Sequence, residues 1–270
     1  MGVFVAEQPN NPLTPEQVTK YRSEGFLILE NPVFTQPVFN ALRDHFEEAL
    51  AALPSSERPE SMDVPHFTDP KLFDWLLSEE VLNLVEPIIG PDIALFSSHF
   101  ICKPQGDGRR VPWHEDSFYW RDMIEPMEVV TVWLAIDAST RENGAMQVVP
   151  RSLDGNRPHQ EVDPNTNVLS WEVRRKPRPG DNAVMIELEP NHASLHDGRL
   201  LHGSAPNTSN SRRCGYTMRY MPTTVKFSET YYSMHNIYLA RGWDRAGNTY
   251  ADPTRVYADL IKTRRSRNGH

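Results

Sequence analysis

Cysteine is almost missing: Cys102 and Cys214 are the only two in 270 residues. Two thiols so far apart exclude a disulfide framework and a cysteine-rich zinc site, and both are expected to be reduced in a cytoplasmic setting. No uncharged apolar run reaches the ~18 residues that a membrane span needs. The first residues, Met1 to Glu7, lack the basic region and apolar core of a secretory signal, and Ala6 stands where a myristoylation signal requires a hydroxyl. Excess positive charge is also lacking, with 28 Lys and Arg against 36 Asp and Glu, a net charge of −8. That balance excludes a dedicated nucleic-acid binder, which needs a basic surface to neutralise phosphates. It does not exclude a local anion pocket, because net charge and pocket charge are separate quantities. Internal repeats are not visible.

What is there suits one globular domain: 39% hydrophobic and 24% charged residues. We divide it into an arm (1–12), a mostly helical support (13–92), a β-rich core (93–222) and a C-terminal extension (223–270). Thr14-Pro15-Glu16-Gln17 reads as a helix start, with Thr14 as N-cap, Pro15 in the first turn, Gln17 closing a capping box and Gly25 as the stop. Phe26-Leu27-Ile28-Leu29 is a short apolar run that predicts a buried strand. Phe39, Leu42, Phe46 and Leu50 recur at helical spacing. A polar loop is expected over 53–65, then a helix from Leu72 to Ile89 broken at Pro87. From Ile93 onward, short apolar stretches alternate with Gly, Pro, Asn and Asp. Strands are predicted at 93–102, 111–120, 129–137, 145–149, 167–173, 183–188, 193–202 and 214–221. Helices first and strands after give an α+β chain, mainly β, whose core is a sandwich or barrel. The basic tail, 262–270, reads as a frayed end.

The chemistry concentrates in Val111-Pro112-Trp113-His114-Glu115-Asp116-Ser117-Phe118-Tyr119-Trp120. If this segment is extended, period-two alternation aims His114 and Asp116 to one face and Glu115 to the other. A His-x-Asp pair is common by chance and needs a third ligand. Leu195 to Asn207 offers two, His196 and His202, and spacing alone does not choose between them. Two imidazoles and a carboxylate on one side of an ion leave positions open opposite, which suits iron(II) handling dioxygen. Zinc hydrolysis with the same ligands is the competing reading. His45, His66, His99, His159, His192, His235 and His270 are read as ordinary hydrogen-bonded residues.

These segments, taken with others, resemble the phytanoyl-CoA dioxygenase superfamily. The resemblance runs from about residue 13 to about residue 250 and includes Glu24 to Leu29, Lys103-Pro104, His114-Glu115-Asp116 and Thr131 to Asp137. It continues through Glu142 to Ser152, Gly180-Asp181, His202 to Ser209, and Arg213. It implies a double-stranded β-helix, a jelly-roll closed around the metal, with the N-terminal helices packed against it. It implies iron(II) on His114, Asp116 and His202, with 2-oxoglutarate and O2 as cosubstrates and ascorbate as a stimulant. It assigns the distal carboxylate of 2-oxoglutarate to Arg213, with Arg212 pointing away. Ser204, Trp133, Thr131 and Lys103 are counted in the same pocket, and Asn207 as its support. Glu115 departs from the glutamine of many relatives, but its side chain should face away from the metal. Relatives that halogenate have a small residue where Asp116 stands, so hydroxylation of an unactivated C–H bond is expected, with succinate and CO2 as coproducts. Desaturation, cyclisation or epimerisation with the same cofactors, and a non-catalytic ligand-binding role, are the alternatives.

For the substrate, Trp113, Phe118, Tyr119 and Trp120 are the candidate walls. Aromatic faces suit an apolar or cationic compound, whereas Lys103, Arg109, Arg110, Arg121, Arg219 and Arg241 suit a small anion. A small molecule is the expected partner, for a monomer or homodimer without membrane or nucleic-acid contacts.

Overall fold

The structure, a computed structural model, describes residues 12–178 and 181–268. Most of the expected arm, Gly180 and the last two residues of the tail lie outside it. Helix α1 (Pro15–Glu24) has its capping box: the Thr14 hydroxyl accepts from the Gln17 amide at 3.3 Å, and the Thr14 amide donates back to the Gln17 side chain at 2.9 Å. Gly25 closes it at φ +83°, a left-handed turn where a Cβ would also meet Leu153 and Leu200 at 2.7 Å. Helix α2 (Gln36–Ala51) buries Phe39, Leu42 and Phe46. The single helix expected over 72–89 is two, α3 (Phe73–Leu76) and α4 (Glu79–Ile89). The break falls before Pro87, because the Ser78 side chain accepts from the Val81 amide and starts a new helix there. Pro87 sits in the last turn, where it forfeits one ladder bond.

Two sheets form the core. The larger is built from β1 (Phe26–Ile28), β2 (Met62–Asp63), β3 (Ile93–Lys103), β6 (Val130–Ala135), β11 (Ala193–Asp197), β13 (Arg213–Pro222) and β15 (Tyr238–Arg241). Its order is β1-β11-β6-β13-β3-β15, with β2 also on β3. The smaller has four strands, β4 (Val111–His114), β7 (Met146–Val148), β10 (Val184–Ile186) and β12 (His202–Ser204), in the order β10-β7-β12-β4. All recorded pairings between these strands are antiparallel. Two short two-stranded ladders, β5 (Ile124–Glu125) with β14 (Lys226–Phe227) and β8 (His159–Glu161) with β9 (Trp171–Val173), lie outside them. A short helix α5 (Ser117–Trp120) follows β4, and the tail expected to fray is helical as α6 (Ala258–Asn268). Its first turn carries Asp259, which pairs with Lys262 at 3.0 Å.

The two faces of the large sheet are chemically different. One face packs Leu134, Leu195, Tyr216, Met218 and Phe100 against Phe46, Leu82 and Val85 of the helices. Alternation along β3 and β13 sends Lys103, His99, Arg213, Thr217 and Arg219 to the other face, the interior between the sheets. One end of that interior is plugged by Phe26, Trp133, Met146, Val148, Ile186 and Leu200.

Three strand expectations change, and all affect the site: the strand expected over 167–173 is confined to β9 (Trp171–Val173), which leaves Val168 and Leu169 in a loop. Strand β4 ends at His114, and Asp116 has right-handed helical dihedrals (φ −57°, ψ −36°) at the start of α5. Its carboxylate therefore meets His114 across a turn, not by strand alternation. The run 193–202 is two strands, because Asp197 folds it: its Oδ1 accepts from the Arg199 amide at 2.8 Å and its carbonyl accepts from the Leu200 amide at 3.0 Å. His196 and His202 therefore stand on different sheets.

Candidate metal centre

His114, Asp116 and His202 converge. One ligand atom from each lies within 4.8 Å of the other two, and all three residues are buried. His114 and His202 face each other across β4 and β12, with ring centroids 4.1 Å apart. Each imidazole is held the same way: Nδ1 donates to a carbonyl two residues earlier, His114 to Pro112 at 2.8 Å and His202 to Leu200 at 2.9 Å. That fixes the tautomer and leaves both Nε2 lone pairs directed into the cluster. His114 Nε2 is 3.4 Å from Asp116 Oδ1. Donors about 2.1 Å from a shared ion at a right angle stand about 3 Å apart, so the spacing fits a metal.

The electrostatics prepare the site. Burial drives the Asp116 carboxyl up, but the Arg219 guanidinium, His114 and His202 outweigh it and hold the group well below the carboxylate range. Its Oδ2 is buried without a hydrogen-bond partner, as an unfilled ligand position would be. Burial pushes His202 well below the ordinary histidine value, so its nitrogen is free of a proton. Burial likewise lowers His196 to about 4. His196 lies beside the cluster, 3.9 Å from Asp116 Oδ2 and 4.9 Å from the His202 ring, without joining its set of ligand atoms. Glu115 turns away and pairs with Arg157.

Next to the cluster sits a second arrangement of charge. Arg213 and Lys103 are opposite each other on β13 and β3 and are almost fully buried. Lys103 donates to the Ser204 hydroxyl at 2.6 Å and to the Ala205 carbonyl. Arg213 donates to the Gly144 carbonyl at 2.6 Å, lies 5.2 Å over the Trp133 ring, and leaves Nε without a partner. Burial lowers Arg213 to about 10, and it lowers Lys103 well below its usual value with help from Arg213. Among the described residues neither side chain makes a salt bridge to a carboxylate, so two basic groups lie buried side by side with only neutral hydrogen-bond partners. Arg212 faces the other way, bonded to Asp137 and Glu47. Asn207 pins the connection between β12 and β13 through bonds to Pro104 and Ser211. Gly215 makes room for Trp133, since a Cβ there would lie 2.1 Å from the indole.

An inner cavity of about 60 Å³ touches His114, Asp116, His202, Ser204, Trp133 and Arg213. It adjoins an outer chamber of about 430 Å³, and both are bordered by His99, Asp116, Val168, Leu169 and Arg219. Of the expected walls, Tyr119 and Trp120 line the chamber. Phe118 lines a neighbouring groove and stacks on His159 at 4.0 Å, while Trp113 packs behind the site against Gly203. Thr131 stands beside His196 and Arg219 in the sheet register, one strand over, and borders neither cavity. Sequence reasoning gave His99 no site role, and it did not single out Phe96, Val168 or Leu169. Strand parity counted back from Lys103 was the available signal for His99. The loop residues 168 and 169 carried none. A wider depression of about 720 Å³ beside α1 contains none of these groups.

Three known proteins are similar to this chain in sequence or fold. Human peroxisomal phytanoyl-CoA dioxygenase is 29% identical over 230 residues, covering 76% of this chain and 67% of its own. A probable alpha-ketoglutarate-dependent hypophosphite dioxygenase of Stutzerimonas stutzeri is 24% identical over 220 residues, 73% of this chain and 75% of its own. The epimerase SnoN, solved with Fe3+, alpha-ketoglutarate and nogalamycin RO, shares the fold at a TM-score of 0.67. It is 19% identical over 89% of this chain and 93% of that one. The family model for phytanoyl-CoA dioxygenase (PhyH) matches residues 21–215, and the chain belongs to that family of iron- and 2-oxoglutarate-dependent oxygenases.

Proposed function

We propose that the protein is an iron(II)- and 2-oxoglutarate-dependent dioxygenase that hydroxylates a C–H bond of a small molecule. The observation that carries this reading is the adjacency of two devices: a three-ligand cluster with free Nε2 atoms, and a buried Arg213–Lys103 pair that makes no salt bridge among the described residues. Metal alone would not require the second, and an anion alone would not require the first.

In this reading His114, Asp116 and His202 hold iron. When bound, iron, 2-oxoglutarate and O2 together supply an oxidant strong enough for an unactivated C–H bond, with succinate and CO2 released. The residues of the chain do the positioning. Arg213 presents a guanidinium fork to the distal carboxylate, Ser204 donates from its side with Lys103 bonded to its hydroxyl from behind the cavity lining, and Trp133 forms the wall. Thr131 stands one strand away from the cavity, and its buried hydroxyl without a hydrogen-bond partner is a second-row group. Asp116 occupies the ligand position that halogenating relatives leave to chloride, which supports hydroxylation. Tyr119 and Trp120 flank the substrate, Phe118 braces Tyr119 at 5.4 Å, and Trp113 supports the metal strands from behind. Among the described residues no helix is long and apolar enough to cross a membrane.

The test is stoichiometric. Anaerobic iron binding, then succinate release on adding 2-oxoglutarate and O2 (with ascorbate), is expected of the wild type. His114→Ala, Asp116→Ala and His202→Ala should each abolish both. Turnover retained in any one removes that residue from the ligand set, and wild-type activity without 2-oxoglutarate supports a hydrolase instead.

A further inference from the structure

Resting on the reading above, we propose that Arg219 is the substrate anchor and that the substrate is a compact organic oxyanion, a carboxylate or phosphonate with an apolar body. Arg219 lies on the inner face of β13, three alternations beyond Arg213, and borders both the inner cavity and the outer chamber. It is buried, at 9% exposure, yet its donors are poorly used. Nε has no hydrogen-bond partner, Nη1 reaches only Ser97 Oγ at a long 3.5 Å, and Asp116 Oδ2 is 3.8 Å from Nε. Trp120 lies under the guanidinium at 5.3 Å and holds its plane.

A guanidinium has five N–H donors and stays charged. Burying it with so little compensation is costly unless a ligand completes it. Asp116 is its nearest negative charge, and that carboxylate is a ligand of the proposed metal. Once a divalent ion takes up Asp116, the balance beside Arg219 turns positive. The acids that border the chamber do not restore it. Glu60 is engaged by Arg58 at 2.9 Å and by the Arg109 amide at 3.0 Å, and Asp63 faces His99 at 3.8 Å. The rest of the wall sets Phe96, Tyr119, Trp120, Met123 and Leu169 beside Ser97, His99 and His235, which carry no carboxylate. The chamber therefore takes an apolar body, with an oxyanion at its inner end. Because Arg219 stands beside Asp116, the oxidised carbon lies close to the anionic group and not at the far end of the molecule.

Calorimetry on the protein loaded with nickel(II), which replaces iron without turnover, tests this. The 2-oxoglutarate titration comes first and reports on the proposed function alone: no binding there sinks that reading and with it the premise of this one. Benzoate, phenylphosphonate, benzyl alcohol and benzylamine are then titrated into the ternary complex. The anions are expected to bind at least about tenfold tighter than the neutral and cationic probes. Arg219→Gln should remove that preference, weakening benzoate roughly tenfold to hundredfold, as loss of a charge-assisted pair does. Tighter benzoate marks a carboxylate site and tighter phenylphosphonate a phosphonate site. No preference for anions in the wild type, including no binding of any probe, overturns the proposal whatever the variants do. Equal loss of nickel, 2-oxoglutarate and benzoate in Arg219→Gln, all restored by Arg219→Lys, marks a residue that only positions Asp116 and also overturns it.

Discussion

Replacing Arg213 by methionine is expected to make the ligand-free protein more stable while destroying its affinity for 2-oxoglutarate. Burial depresses the Arg213 guanidinium below its ordinary value, to about 10. At neutral pH it is charged in both the folded and unfolded chain, so the folded state bears the penalty, on the order of 3 kcal/mol. Methionine keeps the stem against Trp133 and removes the charge. It also gives up the bond to the Gly144 carbonyl, which offsets about 1 kcal/mol. The net gain is about 1–2 kcal/mol, or roughly 2–6 °C in Tm at this chain length. Binding should move the opposite way, because removing one member of a buried charge pair costs about 2–5 kcal/mol, a loss of roughly 30-fold or more. Thermal unfolding of the nickel-loaded protein, with and without 2-oxoglutarate, reads both quantities. At a ligand concentration ~100 times Kd the wild type gains about 2.7 kcal/mol, and Arg213→Met should gain almost nothing. A variant that unfolds earlier than the wild type without ligand, and still shifts when ligand is added, refutes the idea that this cation is held uncompensated for an anion.

Arg212 supplies the contrast. It is bonded to Asp137 and Glu47 on the outer face and lies 5.3 Å over Phe46. Arg212→Ala should lower Tm by a few degrees, from about 1 kcal/mol of half-exposed pairing, and leave the Kd for 2-oxoglutarate unchanged in calorimetry. Gly215→Ala places a Cβ 2.1 Å from the Trp133 ring. Overpacking of this kind costs about 1–3 kcal/mol, so a lower Tm and a raised KM for 2-oxoglutarate are expected, and wild-type values for both would show that Trp133 has room to move. Metal binding should resist mild acid. Burial holds His202 below 6.5, so protons compete for its nitrogen only below the ordinary histidine range. The His202 imidazole, followed by NMR in the metal-free protein, is expected to take up a proton only below that range, and protonation already centred within it would contradict the assigned burial effect.

Much of this was legible from sequence because local rules and distant partners coincided. The capping box at Thr14 and Gln17, and the stop at Gly25, are short-range chemistry and appear as read. The alternation of β3 and β13 is equally local, and it separates Arg213 from Arg212 without any structure. Where the reading differed, a turn side chain had decided the outcome. Asp197 folds the chain between His196 and His202, and Ser78 starts a helix before Pro87 can end one. The segment from Val111 to Trp120 looks uniformly extended by composition, yet the chain bends at Asp116 into one turn of helix. Period-two alternation was the wrong reason for bringing Asp116 beside His114. The walls of the chamber were least legible, since Val168 and Leu169 come from a loop whose path depends on contacts far away in sequence. Arg110, for one, accepts the Val168 amide at 2.9 Å.

The division of labour between the two faces of the large sheet ties these points together. Its helix-facing side is apolar and closes the fold through Leu134, Leu195, Tyr216 and Met218. Its inner side carries Lys103, Arg213, Arg219, His99 and His196, most of them buried and several incompletely bonded. Side chains of one strand serve both purposes because they alternate, so Arg213 and Cys214 are neighbours in sequence and strangers in environment. A layout of this kind lets the inner face change while the outer face keeps the fold, since a substitution inside removes a desolvation cost more often than a packing contact. The varied reactions named for relatives of this chain, from dioxygenation to epimerisation, fit a scaffold whose stability and chemistry are written on opposite sides of the same strands.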